Sequence, residues 1–172
     1  MQVLKTHYHP EIENLENKTI FTRLATRCIT IQNNNILLLY TKRYDDYSLP
    51  GGGLDVNEDK IEGMQRELIE ETGAQDIKNI QEFGIYEEYR PWHKPDYDIQ
   101  HMVSYCYTCD INTELGTTNM ESYETNNGMK AMWVNIYDAI KHNENTIATS
   151  SKKGMSIERE TFLLKLIAKK MN

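Results

Sequence analysis

Cysteine, proline and phenylalanine are scarce in this chain: its 172 residues hold 3 Cys, 4 Pro and 3 Phe. An odd, small number of cysteines does not build the disulfide framework of a secreted scaffold. Cys106 and Cys109 do form a C-x-x-C, but inside "IQHMVSYCYTCDI", whose β-branched and aromatic residues read as a strand. Strand positions three apart point to opposite faces, so these two sulfurs neither bridge nor chelate one ion, and no second pair completes a zinc site. Long apolar runs are missing as well. The longest clean one, "ILLLY" at Ile36–Tyr40, is far too short for a membrane span, and "MQVLKTHYHPEIENLENK" lacks the apolar stretch of a signal peptide. The expected location is the cytoplasm, with no membrane partner. Positive charge is in short supply too: 19 Lys and Arg face 26 Asp and Glu, a formal net charge of −7. That balance argues against general binding of nucleic-acid backbones, and an anionic ligand would need help from a metal. His7, His9, His93, His101 and His142 are scattered without ligand spacing.

What is present is ordinary globular material, 39% hydrophobic and 26% charged, without repeats or low-complexity tracts. One domain over 1–172 is expected, long enough to bury a core without staples. "TRLATRCITI" and "NILLLYTKR", joined by the turn-former "QNNN", read as a hairpin. "KNIQEFGIYEEYR", "DIQHMVSYCYTCDI" and "GMKAMWVNI" read as three further strands, and "NTELGTTNMESYETNN" as a polar loop. Ile61, Met64 and Leu68 share helical spacing in a helix from Asp59, with Glu62 completing a capping box, to a left-handed cap at Gly73. The tail, about 156–170, places Ile157, Thr161, Leu164 and Ala168 on one helical side, with Leu163 and Ile167 beside them. Strands and helices interleave without a regular βαβ rhythm, which predicts an α/β fold with a mixed sheet between helical layers.

The stretch "LPGGGLDVNEDKIEGMQRELIEETGA" carries the chemistry. At roughly 100° per residue, Glu67, Glu70 and Glu71 fall within an arc of about 100° on one helix face. Glu67 and Glu71 are a like-charged i,i+4 pair, and all three sit near the negative end of the helix dipole. A solvated acidic face would interleave cations, but only Arg66 lies close. A bound divalent cation resolves the repulsion, and hard cations held by carboxylates plus substrate phosphates point to phosphate chemistry. The preceding glycines can bring bare backbone to a ligand.

Gly52, five residues, Glu58, seven residues and then "RELIEETGA" match the pattern GX5EX7REUXEEXGU, U being a bulky apolar residue, with Ala74 the weak fit. The chain thus resembles the Nudix (MutT-like) hydrolases. The resemblance implies a Nudix α/β/α sandwich whose core spans about residues 23–140. It further implies a Mg²⁺ or Mn²⁺ site of Glu70 and Glu71, with Glu67 as a further ligand or the handler of the attacking water. The carbonyl of Gly51 or Gly52 would join it. Arg66 would hold the glutamates, Glu58 would organise loop and helix, and Gly73 would close the box.

The implied reaction is metal-dependent hydrolysis of the pyrophosphate bond of a nucleoside diphosphate derivative, by water attack on phosphorus. Nucleoside triphosphates, ADP-ribose and dinucleoside polyphosphates span the substrate range; Tyr89 and Pro91 stand near two subfamily markers without choosing between them. Family members often add an acid outside the box, for which Glu87, Glu88, Glu114, Glu121 and Glu124 are candidates. Trp92 and Tyr97, in an expected loop, are candidates for stacking a base. The alternative is a nucleotide-binding sensor without turnover, although such domains typically lose box glutamates. RNA decapping fits poorly with the acidic charge, and a homodimer stays open.

Overall fold

The computed structural model describes residues 1–171. Its elements are strands β1 (Val3–Tyr8), β2 (Ile20–Ile29), β3 (Ile31–Gln32), β4 (Asn35–Thr41) and β5 (Asp46–Ser48), helix α1 (Lys60–Thr72), strands β6 (Lys78–Pro91) and β7 (Ile99–Asp110), helix α2 (Ser122–Asn126), strand β8 (Met129–Asn135), and helices α3 (Ile136–Thr149) and α4 (Ile157–Met171). One sheet is mixed, in the order β1-β6-β7-β2, with β1 parallel to β6, β6 antiparallel to β7 and β2 parallel to β7. A second, antiparallel sheet is built around β4, which pairs with β3, β5 and β8.

The unbroken apolar run of β4 explains the layering, because a strand buried on both faces has no polar alternation. Ile36 and Leu38 point into a core shared with Ile136 of α3 and with Leu163, Leu164 and Ile167 of α4. Leu37 points the other way, into a core with Met64 and Leu68 of α1. Helices therefore cover the strands from two sides. Each fully buried leucine contributes roughly 1.5–3 kcal/mol, so the seating of α1 rests chiefly on Met64 and Leu68, both 0% exposed. Ile61, expected on that buried face, is 41% exposed instead.

The expected hairpin forms only at its tip. Asn33 and Asn34, both at positive φ, turn the chain so that Ile31 and Gln32 pair with Ile36 and Asn35. All of β2 pairs with β7 in the other sheet, from Ile20↔Ile99 to Ile29↔Thr108. Cys106 and Cys109 do lie in opposite cores, and Cys109 instead faces Cys28 of β2, Sγ to Sγ 3.2 Å, with all three cysteines free.

Three elements escape sequence patterning. Strand β1 lies at a sheet edge and no residue of it is fully buried, so its alternation is weak. Helix α2 occupies five residues of the expected polar loop, closed by a capping box between Glu121 and Glu124. Helix α3 buries Ile136, Ala139, Asn143 and Thr146. Two of these are polar: the Asn143 amide accepts from the Tyr47 N–H (2.8 Å) and donates to its carbonyl (2.9 Å), while Thr146 Oγ1 donates to the Asp45 carbonyl (2.8 Å). That face is buried through hydrogen bonds to the β5 edge, and a search for apolar periodicity passes over it. No helix among the described residues is long and apolar enough to cross a membrane.

Candidate active site

The helical wheel of α1 sorts the three glutamates by depth. Taking Met64 as the centre of the buried stripe, Glu71 lies about 20° from it, Glu67 about 60° and Glu70 about 120°. Burial follows the same order, with Glu71 4% exposed and the side chains of Glu67 and Glu70 at 14% and 35%. The helix starts with Asp59 Oδ1 accepting from the N–H groups of Ile61 (2.8 Å) and Glu62 (3.2 Å), and stops at Gly73 with φ 70°.

Against this helix lies the glycine turn. Gly51 has φ 137°, a conformation favouring glycine, and its N–H donates to Glu71 Oε2 at 2.6 Å. Gly52 has no room for a side chain, since a Cβ there would meet the Glu67 carboxylate. Its carbonyl accepts from the Thr26 N–H at 2.9 Å, which ties the turn to β2.

Arg66 joins loop and helix. Its Nε and Nη2 donate to the two oxygens of Glu58 at 2.7 and 3.0 Å, and its Nη1 donates to Glu67 at 2.8 Å and to Glu70 at 3.5 Å. Glu58 in turn accepts from the Asp55 N–H at 2.9 Å. The Arg66 fork, and then that N–H, hold the Glu58 carboxyl down to about 2. The strongest partner of Arg66 is thus Glu58 rather than Glu70. Lysine keeps the charge but not the fork, so Arg66→Lys is expected to return Glu58 to the ordinary carboxylate range and to cost about 1–2 kcal/mol. Carboxyl ¹³C titration and thermal melting check this; unaltered Glu58 titration would remove Arg66 as its anchor.

Charge is poorly compensated at the deep end. Burial pushes Glu71 well above the usual carboxylate range, and repulsion from Glu67 and Glu124 adds to it. Glu67 is also raised, by burial first, against the pull of Arg66. Glu124 is fixed by α2, accepting from the Glu121 N–H (2.8 Å) and the Tyr123 hydroxyl (3.0 Å). It brings a fourth carboxylate to the cluster. No three acidic, His or Cys side chains among the described residues close on one point; Glu67 accepts from Arg66 and Glu71 from the Gly51 N–H. The donor set still suits a hard cation: all oxygen, crowded, and buried beyond what Arg66 beside Glu67 and Arg27 on the side of Glu71 neutralise.

Glu67 and Glu70 open onto a cavity of about 840 Å³ that is also lined by Arg23, Arg27, Arg90 and Arg159. Beneath it a buried ion network joins two strands and α4. Arg159 Nη1 donates to Glu88 (2.8 Å), its Nε and Nη2 donate to Glu160 (2.9 and 2.8 Å), and Arg27 lies 3.8 Å from Glu160. Asp46 on the same wall is pushed up to about 6 by burial, then by Glu160 and Asp45. Spacing in the sequence gave no sign of these arginines, because they come from β2, β6 and α4 and meet only through strand pairing.

Of the acids outside the glutamate helix, Glu121 lines the cavity and Glu124 reaches the cluster, whereas Glu88 is held under the floor by Arg159. Glu87 faces Thr6 and His101, and Glu114 is exposed. Trp92 and Tyr97 pack on Phe21 at 5.4 and 5.5 Å in the β6–β7 loop, and neither lines the cavity. The tyrosines that do are Tyr44 and Tyr123. Tyr89 is sandwiched between Tyr8 and His101, and Pro91 ends β6.

A family model described as the NUDIX domain matches residues 21–153. A NUDIX hydrolase from Nitrosomonas europaea shares the fold with a TM-score of 0.56 at 15% identity, over 87% of this chain and 91% of that one. A MutT NUDIX hydrolase from Burkholderia pseudomallei does so with a TM-score of 0.50 at 18% identity, over 68% and 85%. An RNA pyrophosphohydrolase from Bartonella henselae is 43% identical over 49 residues, 28% of this chain and 28% of that relative. The local match therefore spans little more than a quarter of either protein. The family match, by contrast, runs from β2 through α3 and takes in both the glycine turn and the glutamate helix, and with that extent the chain belongs to the NUDIX family.

Proposed function

We propose that this chain hydrolyses the pyrophosphate bond of a nucleoside diphosphate derivative with the help of a divalent ion, Mg²⁺ or Mn²⁺, and that residues 1–172 work as one Nudix unit. The observation that carries the reading is Glu71: a buried carboxylate beside Glu67 and Glu124, without an ion pair among the described residues, and hydrogen-bonded to Gly51 in the wall of an arginine-lined cavity. A relative named for pyrophosphohydrolysis supports the reaction class.

Glu70 and Glu71 would hold the ion, with the Gly51 or Gly52 carbonyl joining them, which leaves Glu67 to handle the water. When bound, such an ion neutralises the diphosphate and lowers the pKa of a water. Glu67 accepts the proton of the attacking water while the bridging P–O bond breaks. Arg66 and Glu58 hold Glu67 in place. Arg23, the cavity arginine outside the buried ion network, would bind phosphate oxygens, and the fixed positive charge of Arg27, Arg90 and Arg159 behind it favours the crowded phosphorus centre. Tyr44 and Tyr123 offer ring faces to a base.

Hydrolysis of a nucleoside triphosphate or ADP-ribose in ¹⁸O-water, with Mg²⁺ or Mn²⁺, is the test. The label is expected on a phosphate of one product, and excess chelator should stop the reaction. Label on a carbon-bound oxygen, or full activity in chelator, would overturn the reading.

A further inference from the structure

Asp46 is a buried acid, 5% exposed, to which the hydrolysis gives no role. It stands first in β5, and with Ser48 it lines the wall of the catalytic cavity. Its neighbour Asp45 takes the Tyr40 hydroxyl (2.7 Å) and His142 (3.1 Å), while Glu160 takes Arg159 and the Leu49 N–H. Among the described residues the Asp46 carboxylate accepts no hydrogen bond and joins no ion pair, although Arg27, Lys153 and Arg159 line the same cavity. Gly154 of the α3–α4 segment closes one side, so near that a Cβ there would stand 2.9 Å from Asp46 Oδ2. Burial and the charges of Glu160 and Asp45 oppose ionisation, and His142 favours it.

A walled carboxylate without donors leaves them to be supplied from the cavity. Phosphates cannot supply them, being acceptors of like charge, and belong with the divalent ion and Arg23. The base end of the substrate can, since Tyr44, two residues earlier in the chain, and Tyr123 line the same cavity. Two carboxylate oxygens are matched by two adjacent N–H donors. Guanine has them on one edge, N1–H and the N2 amino group. Adenine and cytosine set their amino group beside a ring-nitrogen acceptor, and uracil flanks its N–H with carbonyls, so each turns a lone pair toward the carboxylate. We propose that Asp46 reads the substrate's base and selects guanine, whose paired N–H groups donate to its carboxylate. The inference rests on the pyrophosphohydrolase reading and adds the base that it leaves open.

The test compares kcat/KM for GTP, ATP and xanthosine triphosphate, with Mg²⁺, in wild type and Asp46→Asn. Wild type is expected to favour GTP over ATP by about tenfold or more, as two charge-assisted hydrogen bonds require. Inosine triphosphate, which lacks the N2 amino group, should fall between them. Asparagine is nearly the same size and removes a charge that burial disfavours, so the variant should melt no lower than wild type. It offers one acceptor and one donor, which match xanthine N1–H and O2 instead. Asp46→Asn should therefore lose the GTP preference through KM and make xanthosine triphosphate a better substrate than GTP, an inversion that a merely structural role does not produce.

The wild-type GTP-to-ATP ratio should also rise with pH through about 6, because the protonated acid has given up one acceptor. Titration of the catalytic glutamates acts on both substrates and drops out of that ratio. Equal handling of GTP and ATP by wild type, a ratio flat with pH, a preference that survives Asp46→Asn, or equal losses on every nucleotide overturns the assignment. If no nucleotide turns over, the pyrophosphohydrolase reading fails by itself, and calorimetric titration with GDP and ADP in Mg²⁺ decides Asp46. GDP binding that is tighter than ADP binding and that Asp46→Asn weakens selectively supports it; equal binding of the two, or none, overturns it.

Discussion

Glu71→Gln is expected to cut turnover by about 100-fold or more while making the metal-free protein harder to melt at neutral pH. The second half distinguishes this carboxylate from an ordinary buried one. Glutamine can still accept from the Gly51 N–H, so the turn keeps its anchor. It removes a charge that burial and the neighbouring Glu67 and Glu124 disfavour. The sign of the pH dependence follows. The folded-state pKa of Glu71 is raised well above the ordinary 4.5 of a glutamate, so the folded protein binds that proton more tightly than the unfolded chain. The resulting stability is complete below pH 4.5 and is lost as pH rises through the folded value. In chelator, the variant should melt with wild type in acid and a few degrees above it at about pH 8. Adding Mg²⁺ or Mn²⁺ should raise the wild-type melting temperature more than the variant's, because a ligand stabilises only the state that binds it. A variant that melts below wild type at pH 8, or that keeps its rate, would remove Glu71 from the metal site.

How much of this could be read in the chain depends on where each partner sits in sequence. The α1 caps, its glutamate arc and the buried tail helix are local patterns, and Asp59, Gly73 and Leu164 lie where spacing puts them. The α1 core face is less legible, because Ile61 fits the helical period yet stands one turn before Met64, where the contact with β4 and β7 begins. Helix α3 is hidden by chemistry rather than distance: its buried Asn143 and Thr146 satisfy the backbone of Tyr47 in β5 and of Asp45 just before it, which makes them core residues that read as surface.

The basic side of the cavity is invisible for a different reason. Arg23 and Arg27 come from β2, Arg90 from β6 and Arg159 from α4. Nothing in a one-dimensional pattern says that β2 will lie parallel to β7 or that α4 will cover them. Summed charge misleads in the same way, since −7 for the whole chain coexists with a cavity that Arg23, Arg27, Arg66, Arg90 and Arg159 line. The aromatic candidates show the limit from the other side. Trp92 and Tyr97 do lie in a loop, yet that loop joins β6 to β7 and packs on Phe21, whereas Tyr44 in the β4–β5 turn and Tyr123 on α2 line the cavity with Glu67 and Glu70.

The same long-range pairing makes Arg159 the expected weak point for stability. Its side chain is 4% exposed and bonds to both Glu88 on β6 and Glu160 on α4. Glu160 then accepts from the Leu49 N–H at 2.9 Å, immediately before Pro50 and the glycine turn. Arg159→Met keeps most of the side-chain length but leaves two buried carboxylates facing each other, with Arg27 (3.8 Å from Glu160) and Arg90 (3.6 Å from Glu88) as distant counter-charges. Breaking one partner of such a network typically costs about 3–5 kcal/mol, a large part of the roughly 5–15 kcal/mol that holds a domain together. Urea denaturation should show that loss as a lower midpoint. Neutralising the orphaned acids as well, in the variant Arg159→Met, Glu88→Gln, Glu160→Gln, should restore about half of it or more, because the penalty lies in unpaired charge rather than in missing attraction. A single variant costing less than about 1 kcal/mol would mean that water reaches the network. A triple variant no better than the single one would mean that Arg159 acts through packing, and the ion network would then not be what fixes α4 beneath the glycine turn.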